Sequence, residues 1–507
     1  MSGDGPRLSR ELNIWETIGI SVALMAPSMA ANINPQGVIG SVGRAIPLTF
    51  LLATVGVLLV SYTFVRLTQK YHHSGSVYGF VGATLGPRAG VVAGWGLLGT
   101  YVFYGVVTAT AASRFAIAFL DSTGIWKSPP DAFVLVLVAV ALAGTFWLTV
   151  SPIRRGTRVL LIVEGTTVVL ILIVALVVLG KLVGGNGPSG QGITFSPFTL
   201  GTGTTTDALF LGVVFGFLSF AGFEAAATLG EEAKQPRRDI PRAILGTAIF
   251  GGIYFVFVTW VEVMGFGTND AGLKAFGASG SLFGDLGTQF VGSWLGDIIT
   301  LGAAISAFGC ALACSVGASR LLFALARDGV APAALARVSS TRRTPVAAAV
   351  AVGVGAGVLE VVLWLIYRTD LPTSSPDYVA TSLSVFANAG VIGTLILLVA
   401  YVLATLGAVR LLFFSADRST PRWEIAVPVL ALLILGYTIY RNVVPYPTGE
   451  GGWNPAIGAA WLLVAVVLVL VKPDLARRAG ARLTADEGLA PSATTPSPAA
   501  AEVEENA

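Results

Sequence analysis

The chain has 507 residues, of which 54% are hydrophobic and only 12% charged, and its formal net charge is +3. The charged share is about half of what soluble globular domains carry. A soluble fold is therefore excluded, because so apolar a chain could not cover its core with polar surface. The small net charge and the lack of a basic tract with interleaved aromatic residues argue against nucleic acid as a partner.

Long apolar runs recur from Trp15 to Val471, and each is near the ~20 residues that a helix needs to cross a bilayer. Only helices and closed barrels satisfy their backbone hydrogen bonds in lipid, and no alternating barrel pattern occurs. We therefore predict an all-α polytopic membrane protein of about twelve transmembrane helices. The predicted spans are 14–42, 46–66, 88–118, 132–150, 158–183, 206–229, 242–266, 290–325, 345–367, 379–409, 425–440 and 455–471.

The regions outside the spans predict the orientation of the chain. Residues 1–13 are polar and form a short N-terminal segment without an evident cleavable signal. Most of the 31 Lys and Arg residues fall on one side of the membrane if the N-terminus is cytoplasmic, so both termini are predicted to be cytoplasmic. Residues 473–507, which end in a stretch rich in Ala, Pro, Ser, Thr and Glu, are predicted to be a disordered cytoplasmic tail.

Two of the predicted spans contain an interruption. In the first span, Pro27 removes a backbone donor from the helix. In the sixth, Gly222 permits unwinding just before the acid Glu224. Taken singly, these features also fit a simple proline kink and a glycine at a close helix contact.

The positions of the two interruptions correspond if spans one to five and six to ten form two halves. The transporter domain, 14–471, would then comprise a first repeat at about 14–183, a second at about 206–409 and extra helices at about 425–471. Five spans per half make the halves inverted in the membrane. Paired broken helices in inverted halves indicate a binding site near the bilayer midplane, because unwound backbone can hold charged groups of a substrate.

The acids within predicted spans include Glu164, Glu224, Glu262 and Glu360. A carboxylate at membrane depth is costly and is by default a functional hypothesis. For Glu164 the alternative is a static hydrogen bond to a hydroxyl or backbone group. Glu224 could either face a substrate amino group or cap or tether the second half of the broken span. Glu262 lies near the predicted outer end of its span and is expected to reach water, and Glu360 has no assigned role.

Several motifs together resemble the amino acid–polyamine–organocation superfamily over roughly residues 10–470. The most specific is the sixth-span block Phe215-Gly216-Phe217-Leu218-Ser219-Phe220-Ala221-Gly222-Phe223-Glu224. The others are Gly230-Glu231-Glu232, Arg238-Asp239-Ile240-Pro241-Arg242, Ser74-Gly75-Ser76-Val77-Tyr78, Ser319-Arg320-Leu321-Leu322, Ala326-Arg327-Asp328-Gly329 and Arg343-Thr344-Pro345. The resemblance implies a five-plus-five inverted repeat of the LeuT type with two extra helices, and secondary active transport by alternating access.

The resemblance also implies a set of site residues. The implied substrate contacts are Ala26, Pro27, Ser28, Met29, Tyr101, Leu218, Ser219, Phe220, Ala221, Gly222, Glu224, Cys314 and Asn388. For Tyr101 and Cys314 ordinary helix packing remains an alternative, and for Asn388 an interhelical hydrogen bond does. Glu164 is implied as the proton-coupling residue.

Two details of the resemblance concern the substrate class and a cytoplasmic gate. Many members have a Gly-Ser-Gly-like break in span one, whereas Ala26-Pro27-Ser28 looks more like the putrescine-permease-type branch. Glu231, Glu232 and Arg238 are implied as a cytoplasmic gate, although a basic loop is also what cytoplasmic topology requires.

These features predict a plasma-membrane permease that moves an amino acid or related amine and is driven by a proton gradient without a cofactor. Its partners would be the small-molecule substrate and the lipid bilayer, and its oligomeric state is left open. The alternatives are a polyamine or amine exchanger, or an ion importer or channel on the same fold, although no filter-like repeat is visible. An enzyme is not expected, because no nucleophile–base pair, metal cluster or cofactor motif occurs.

Overall fold

A computed structural model of the chain describes residues 14–70, 76–151, 155–201, 204–229, 234–339, 344–372, 374–375, 378–415 and 420–475. These residues form helices, turns and loops, and no strand occurs among them, which confirms the all-α prediction. Some predicted features lie outside the described residues, namely the segment 1–13, the gate acids Glu231 and Glu232, and the tail from residue 476 onward.

The α-helices follow one another along the chain with short connections. They are α1 (Ile14–Leu24), α2 (Pro27–Ile33), α3 (Gln36–Val42), α4 (Ile46–Lys70), α5 (Ser76–Leu85), α6 (Pro87–Ser122), α7 (Phe133–Thr149), α8 (Arg155–Val183), α9 (Thr206–Phe220), α10 (Pro236–Phe266), α11 (Asp270–Ala278), α12 (Leu282–Phe290), α13 (Ser293–Arg327), α14 (Val346–Ile366), α15 (Thr381–Phe413), α16 (Ala426–Arg441) and α17 (Trp453–Val471). Short 3₁₀-helices lie at Gly43–Ala45, Pro188–Gly190, Ser196–Phe198, Phe223–Leu229, Ala333–Ala336, Arg422–Ile425 and Gly449–Gly452.

The lengths and composition of these helices identify a multi-pass membrane protein. Within the described chain, nine helical segments are long and apolar enough to cross a bilayer, and three shorter apolar helices at Thr17–Ile33, Phe133–Thr149 and Thr206–Phe220 bring the number to twelve. Large apolar side chains such as Val140, Trp147, Leu433 and Leu470 are exposed on the outside of the bundle. Such a surface suits lipid rather than water.

Helix α6 lies at the centre of the bundle, and the last two helices lie at its edge. In its most apolar stretch, 83% of α6 is buried, against 22% for the α16 segment and 28% for the α17 segment. The indole N–H of Trp95 on α6 donates to the carbonyl of Trp461 on α17, and the reverse bond is also made, both at 2.9 Å. Because no water competes inside a bilayer, this reciprocal pair fixes α17 against the central helix.

The first predicted interruption is present between α1 and α2. Helix α1 ends at Leu24, and Ala26 adopts a left-handed conformation with φ 47° and ψ 56°. Pro27 then begins α2. At the first position of a helix an N–H group has no partner within the helix, so proline loses no hydrogen bond there. A left-handed alanine costs about 1–2 kcal/mol, so the surrounding contacts must hold this conformation in place.

The second predicted interruption is present between α9 and the 3₁₀-helix Phe223–Leu229, and it touches the first. Gly222 has a φ of +102°, a conformation that favours glycine. A Cβ atom on Gly222 would lie 3.1 Å from the carbonyl carbon of Leu24 and 3.2 Å from its oxygen. The two broken spans therefore meet backbone to backbone. The inverted relation between the repeats at 14–183 and 206–409 stays a prediction.

This contact predicts the effect of replacing Gly222. The Gly222→Ala variant should lose about 1–3 kcal/mol of stability, because alanine is strained at this φ and its methyl group would push Leu24 away. Thermal unfolding in detergent would measure the loss. Gly436→Ala on α16 is the control, since nothing lies within 4 Å of the added methyl group there. Equal unfolding temperatures for the two variants would contradict the prediction.

Candidate functional site

The backbone freed at the first interruption is held by side chains from two other helices. Because Pro27 starts α2, the next N–H groups have no partner within the helix. The Ser28 N–H donates to Glu164 Oε1 at 2.8 Å, and the Met29 N–H donates to Ser306 Oγ at 3.3 Å. Glu164 on α8 is only 6% exposed. The predicted coupling acid thus binds the interruption directly.

The carbonyl groups at the same interruption are held only weakly. The Leu24 carbonyl accepts a hydrogen bond from Cys310 Sγ at 3.6 Å, and a thiol is a weak donor. The Pro27 carbonyl accepts from the Tyr254 hydroxyl at 3.4 Å. Sequence reasoning missed Ser306, Cys310 and Tyr254, although each is a polar or sulfur-containing residue within an apolar run. Because the bond from Cys310 is weak, the Leu24 carbonyl oxygen is suited to accept a hydrogen bond from a cationic group.

Beyond the interruption, amide side chains connect the first span to its neighbours. Asn32 Oδ1 accepts from the Ser281 hydroxyl and from the Phe283 N–H, both at 2.8 Å. Asn34 Nδ2 donates to Ser219 Oγ at 2.7 Å. The predicted substrate contact Ser219 therefore connects α9 to the first span.

Glu224 lies at the start of the second half of the sixth span, within a group of tyrosines. Its Oε2 atom is buried and has no hydrogen-bond partner among the described residues. Tyr101 and Tyr104 on α6 and Tyr401 on α15 lie close enough to interact electrostatically with its carboxyl group. The Tyr401 hydroxyl faces this group without completing a hydrogen bond of normal geometry. Tyr101 and Glu224, which were predicted separately as substrate contacts, thus lie near each other, and Tyr104 and Tyr401 were missed.

The two cysteines lie on the face of α13 that borders this group. Cys314 is buried and lies near both Tyr101 and Tyr104. Gly317, one turn further along α13, allows the Tyr101 ring to approach, since a Cβ there would lie 3.3 Å from the ring. Cys314 therefore borders the tyrosine group, and its role as a substrate contact stays a prediction.

Other predicted contacts in the sixth span lie in packing interfaces. Leu218 packs against Gly390 of α15, where an added Cβ would lie 2.9 Å from Leu218 Cδ2. Phe220 is fully buried, and its ring centroid lies 5.4 Å from that of Phe255 on α10. Ala221 is half-buried beside Gly222 at the second interruption. A substrate contact at Leu218 or Phe220 would require these interfaces to move.

Asn388 belongs to a hydrogen-bond network between helices. Its Oδ1 accepts from Asn454 Nδ2 on α17 at 2.7 Å, and Asn454 Oδ1 accepts from the Tyr367 hydroxyl at 2.6 Å. Its own Nδ2 donates to the Ser384 carbonyl one turn earlier on α15. The amide of Asn388 is thus occupied by the interhelical role that the sequence left open as the alternative.

The remaining predicted acids and the gate arginine differ in their surroundings. Glu360 is 2% exposed, and its Oε2 accepts from the Thr110 hydroxyl at 2.9 Å, whereas its Oε1 has no partner among the described residues. Glu262 is 0% exposed, and neither of its oxygens has a partner among the described residues, so the expectation that it reaches water was wrong. Arg238 is exposed at the start of α10. Its predicted gate partners lie outside the described residues, so the gate stays a prediction.

An all-helical membrane protein whose two interrupted spans meet beside buried acids has the architecture of a membrane transporter. The sequence model of the amino acid permease family, described as "Amino acid permease", matches residues 30–475, and the chain belongs to this family.

Three relatives are named as transporters of amines or amino acids. The chain is 26% identical over 335 residues to the low-affinity putrescine importer PlaP of Escherichia coli, covering 64% of this chain and 68% of that protein. It is 24% identical over 356 residues to the branched-chain amino acid permease BcaP of Bacillus subtilis, covering 67% and 71%. It is 26% identical over 383 residues to the vacuolar cationic amino acid transporter 4 of Arabidopsis thaliana, covering 71% and 60%.

The network around Asn388 can be tested by a double-mutant cycle. Asn388→Ala and Asn454→Ala should each lower the thermal stability in detergent, because each leaves a buried partner unsatisfied. The double variant should lose less than the sum, with a coupling of about 0.6 kcal/mol as for other polar pairs within membranes. The KM for transport should stay unchanged in the single variants. A rise in KM for Asn388→Ala alone would instead place this residue at the substrate.

Proposed function

We propose that this protein is a secondary active permease of the plasma membrane that moves a cationic amine or amino acid by alternating access and is driven by protons. The fold would be a five-plus-five inverted repeat with both termini cytoplasmic, and no cofactor is needed. Family membership and the interrupted spans support the transport mode. The names of the relatives support the substrate class, since they include a putrescine importer and a cationic amino acid transporter.

The observation that carries proton coupling is the hydrogen bond from the Ser28 N–H to Glu164 Oε1. A hydrogen bond from an N–H group to an ionised carboxylate is stronger than one to a neutral acid. Protonation of Glu164 therefore weakens its hold on the interruption between α1 and α2. Such a link allows proton binding to change the conformation of the element that lines the substrate site.

The observation that supports a cationic substrate is that Glu224 Oε2 has no hydrogen-bond partner among the described residues and that three tyrosines lie near this carboxyl group. A buried carboxyl oxygen without a partner is unfavourable, and an ammonium group placed beside it would remove this cost. The tyrosines near Glu224 are also residues of a kind that attracts an alkylammonium group. At the first interruption, in contrast, protein side chains already accept the hydrogen bonds of the Ser28 and Met29 N–H groups.

The Glu164→Gln variant tests the coupling step. Proteoliposomes would be given labelled putrescine, lysine, arginine or leucine, with and without an inward proton gradient. The wild type should accumulate one class of substrate under the gradient. Accumulation by Glu164→Gln should be at least about tenfold lower than that of the wild type, because its amide cannot take up a proton. Exchange should persist in this variant.

The control for this experiment is Glu360→Gln, which neutralises another buried acid whose partner is Thr110 rather than the interruption. It should accumulate substrate like the wild type. Accumulation that survives in Glu164→Gln would remove this residue from the coupling step. Wild-type uptake that ignores the gradient would favour an exchanger.

The Glu224→Gln variant tests recognition of the substrate amino group. Loss of a charged hydrogen-bond partner costs about 1.5–3 kcal/mol, so the KM should rise at least about tenfold. Counterflow, in which the same substrate is present on both sides of the membrane, would measure the KM without the coupling step. Glu360→Gln again serves as the control. An unchanged KM would show that Glu224 does not bind the amine.

A further inference from the structure

Glu262 is a buried acid that has no role in the transport cycle proposed above. It lies on α10, four residues before the end of this helix, and is 0% exposed. Neither Oε1 nor Oε2 has a hydrogen-bond partner in the described part of the chain. An ionised carboxylate in such surroundings would be very costly, whereas a neutral acid is tolerated. The described conformation therefore requires Glu262 to carry a proton.

Among the described side chains, no charged group near Glu262 takes the place of that proton. Several elements pack against α10, namely α1, α2, α4, α8, α11, α12 and the 3₁₀-helix Phe223–Leu229. The titratable groups on these elements are Glu16, Tyr62, Arg66, Lys70, Arg155, Arg158, Glu164, Lys181, Glu224, Asp270, Lys274 and Asp285. Among those whose side chains are described, none acts electrostatically on Glu262. On α12, the Asp285 carboxyl accepts from the Ser279 hydroxyl at 2.6 Å, and burial raises its pKa.

Glu262 is nevertheless connected to the first interruption through its own helix. Tyr254 lies two turns earlier on α10, and its hydroxyl donates to the Pro27 carbonyl at 3.4 Å. Tyr254 also lies close enough to interact electrostatically with both Glu164 and Glu262. The tyrosine therefore stands between two buried acids, one at the interruption and one near the end of α10. In the predicted orientation that end of α10 faces the outside.

We propose that Glu262 is a second proton-binding site, loaded from the external solution, and that its protonation is required for the outer half of the transporter to close. The carboxylate takes up one proton from external water while the outer half is open, and becomes a neutral acid. Closure then removes water from a group that no longer carries a charge. This inference rests on the proposed proton-driven transport, but it concerns a site separate from Glu164.

The proposal predicts a dependence on external pH with a defined sign. Above the titration midpoint of Glu262, the protonated fraction falls about tenfold for each unit of pH. Closure from outside, and with it exchange, should therefore slow as the external pH rises. An amide cannot ionise, so exchange by Glu262→Gln should change by less than about twofold over the same range.

The experiment measures substrate exchange in right-side-out membrane vesicles, with the external pH varied and the luminal pH held constant. Glu360→Gln is the matched control, because it neutralises another fully buried acid, and it should keep the wild-type profile. A flat external profile for Glu262→Gln supports the proposal, and a profile like that of the wild type overturns it. If Glu262→Gln does not exchange at all, Glu262→Asp decides. A shifted midpoint then supports the proposal, whereas an unchanged midpoint or an inactive protein overturns it.

The same vesicles distinguish this inference from the proposed function. Gradient-driven accumulation, which Glu164→Gln should lose, reports on the proposed function, whereas the external pH profile of exchange reports on Glu262. If accumulation by the wild type ignores the gradient, proton coupling fails. The external profile of Glu262→Gln then still reports on whether closure requires a neutral acid at this position.

Discussion

The arrangement of the site depends on one constraint, which is that backbone groups released inside a membrane must find partners within the protein. The break between α1 and α2 releases the N–H groups of Ser28 and Met29, and Glu164 and Ser306 bind them. To supply these two side chains, α8 and α13 must both pass beside the interruption. Gly222 then has to be a glycine, because the second interruption lies against the Leu24 backbone. The packing of four spans thus follows from a short stretch of unwound backbone.

Local chemistry predicts the interruptions but not their partners. A proline or a positive-φ glycine breaks a helix whatever surrounds it, so Pro27 and Gly222 could be recognised from the sequence. Span positions were likewise predictable, because hydropathy and helix length fix them to within a few residues. Ser306 and Tyr254 were missed, since a hydroxyl within an apolar run has no local sign of what it will bind. The choice of partner is made by tertiary packing alone.

The error at Glu262 has the same origin. The sequence placed this acid near a span end and therefore near water. The structure adds two short helices, α11 and α12, which the span prediction did not contain and which pack against α10. Leu286 of α12 lies against Gly265, where an added Cβ would be 2.7 Å from its Cδ2. Distance along a span measures depth in the bilayer, but burial is decided by the neighbouring elements, and here they exclude water.

The buried acids of this bundle differ mainly in what satisfies their oxygens, and this difference separates their chemistry. Glu164 binds backbone, so a change in its charge acts on the position of a helix. One oxygen of Glu224 lies near tyrosines and has no hydrogen-bond partner among the residues described, so the free energy of this group falls when a cation arrives from outside the protein. Glu262 has no hydrogen-bond partner in the described part of the chain, so only its neutral form fits a closed bundle. Protons on Glu164 or Glu262 and a cationic substrate at Glu224 would then bind to different carboxyl groups, so each could bind while the other is present.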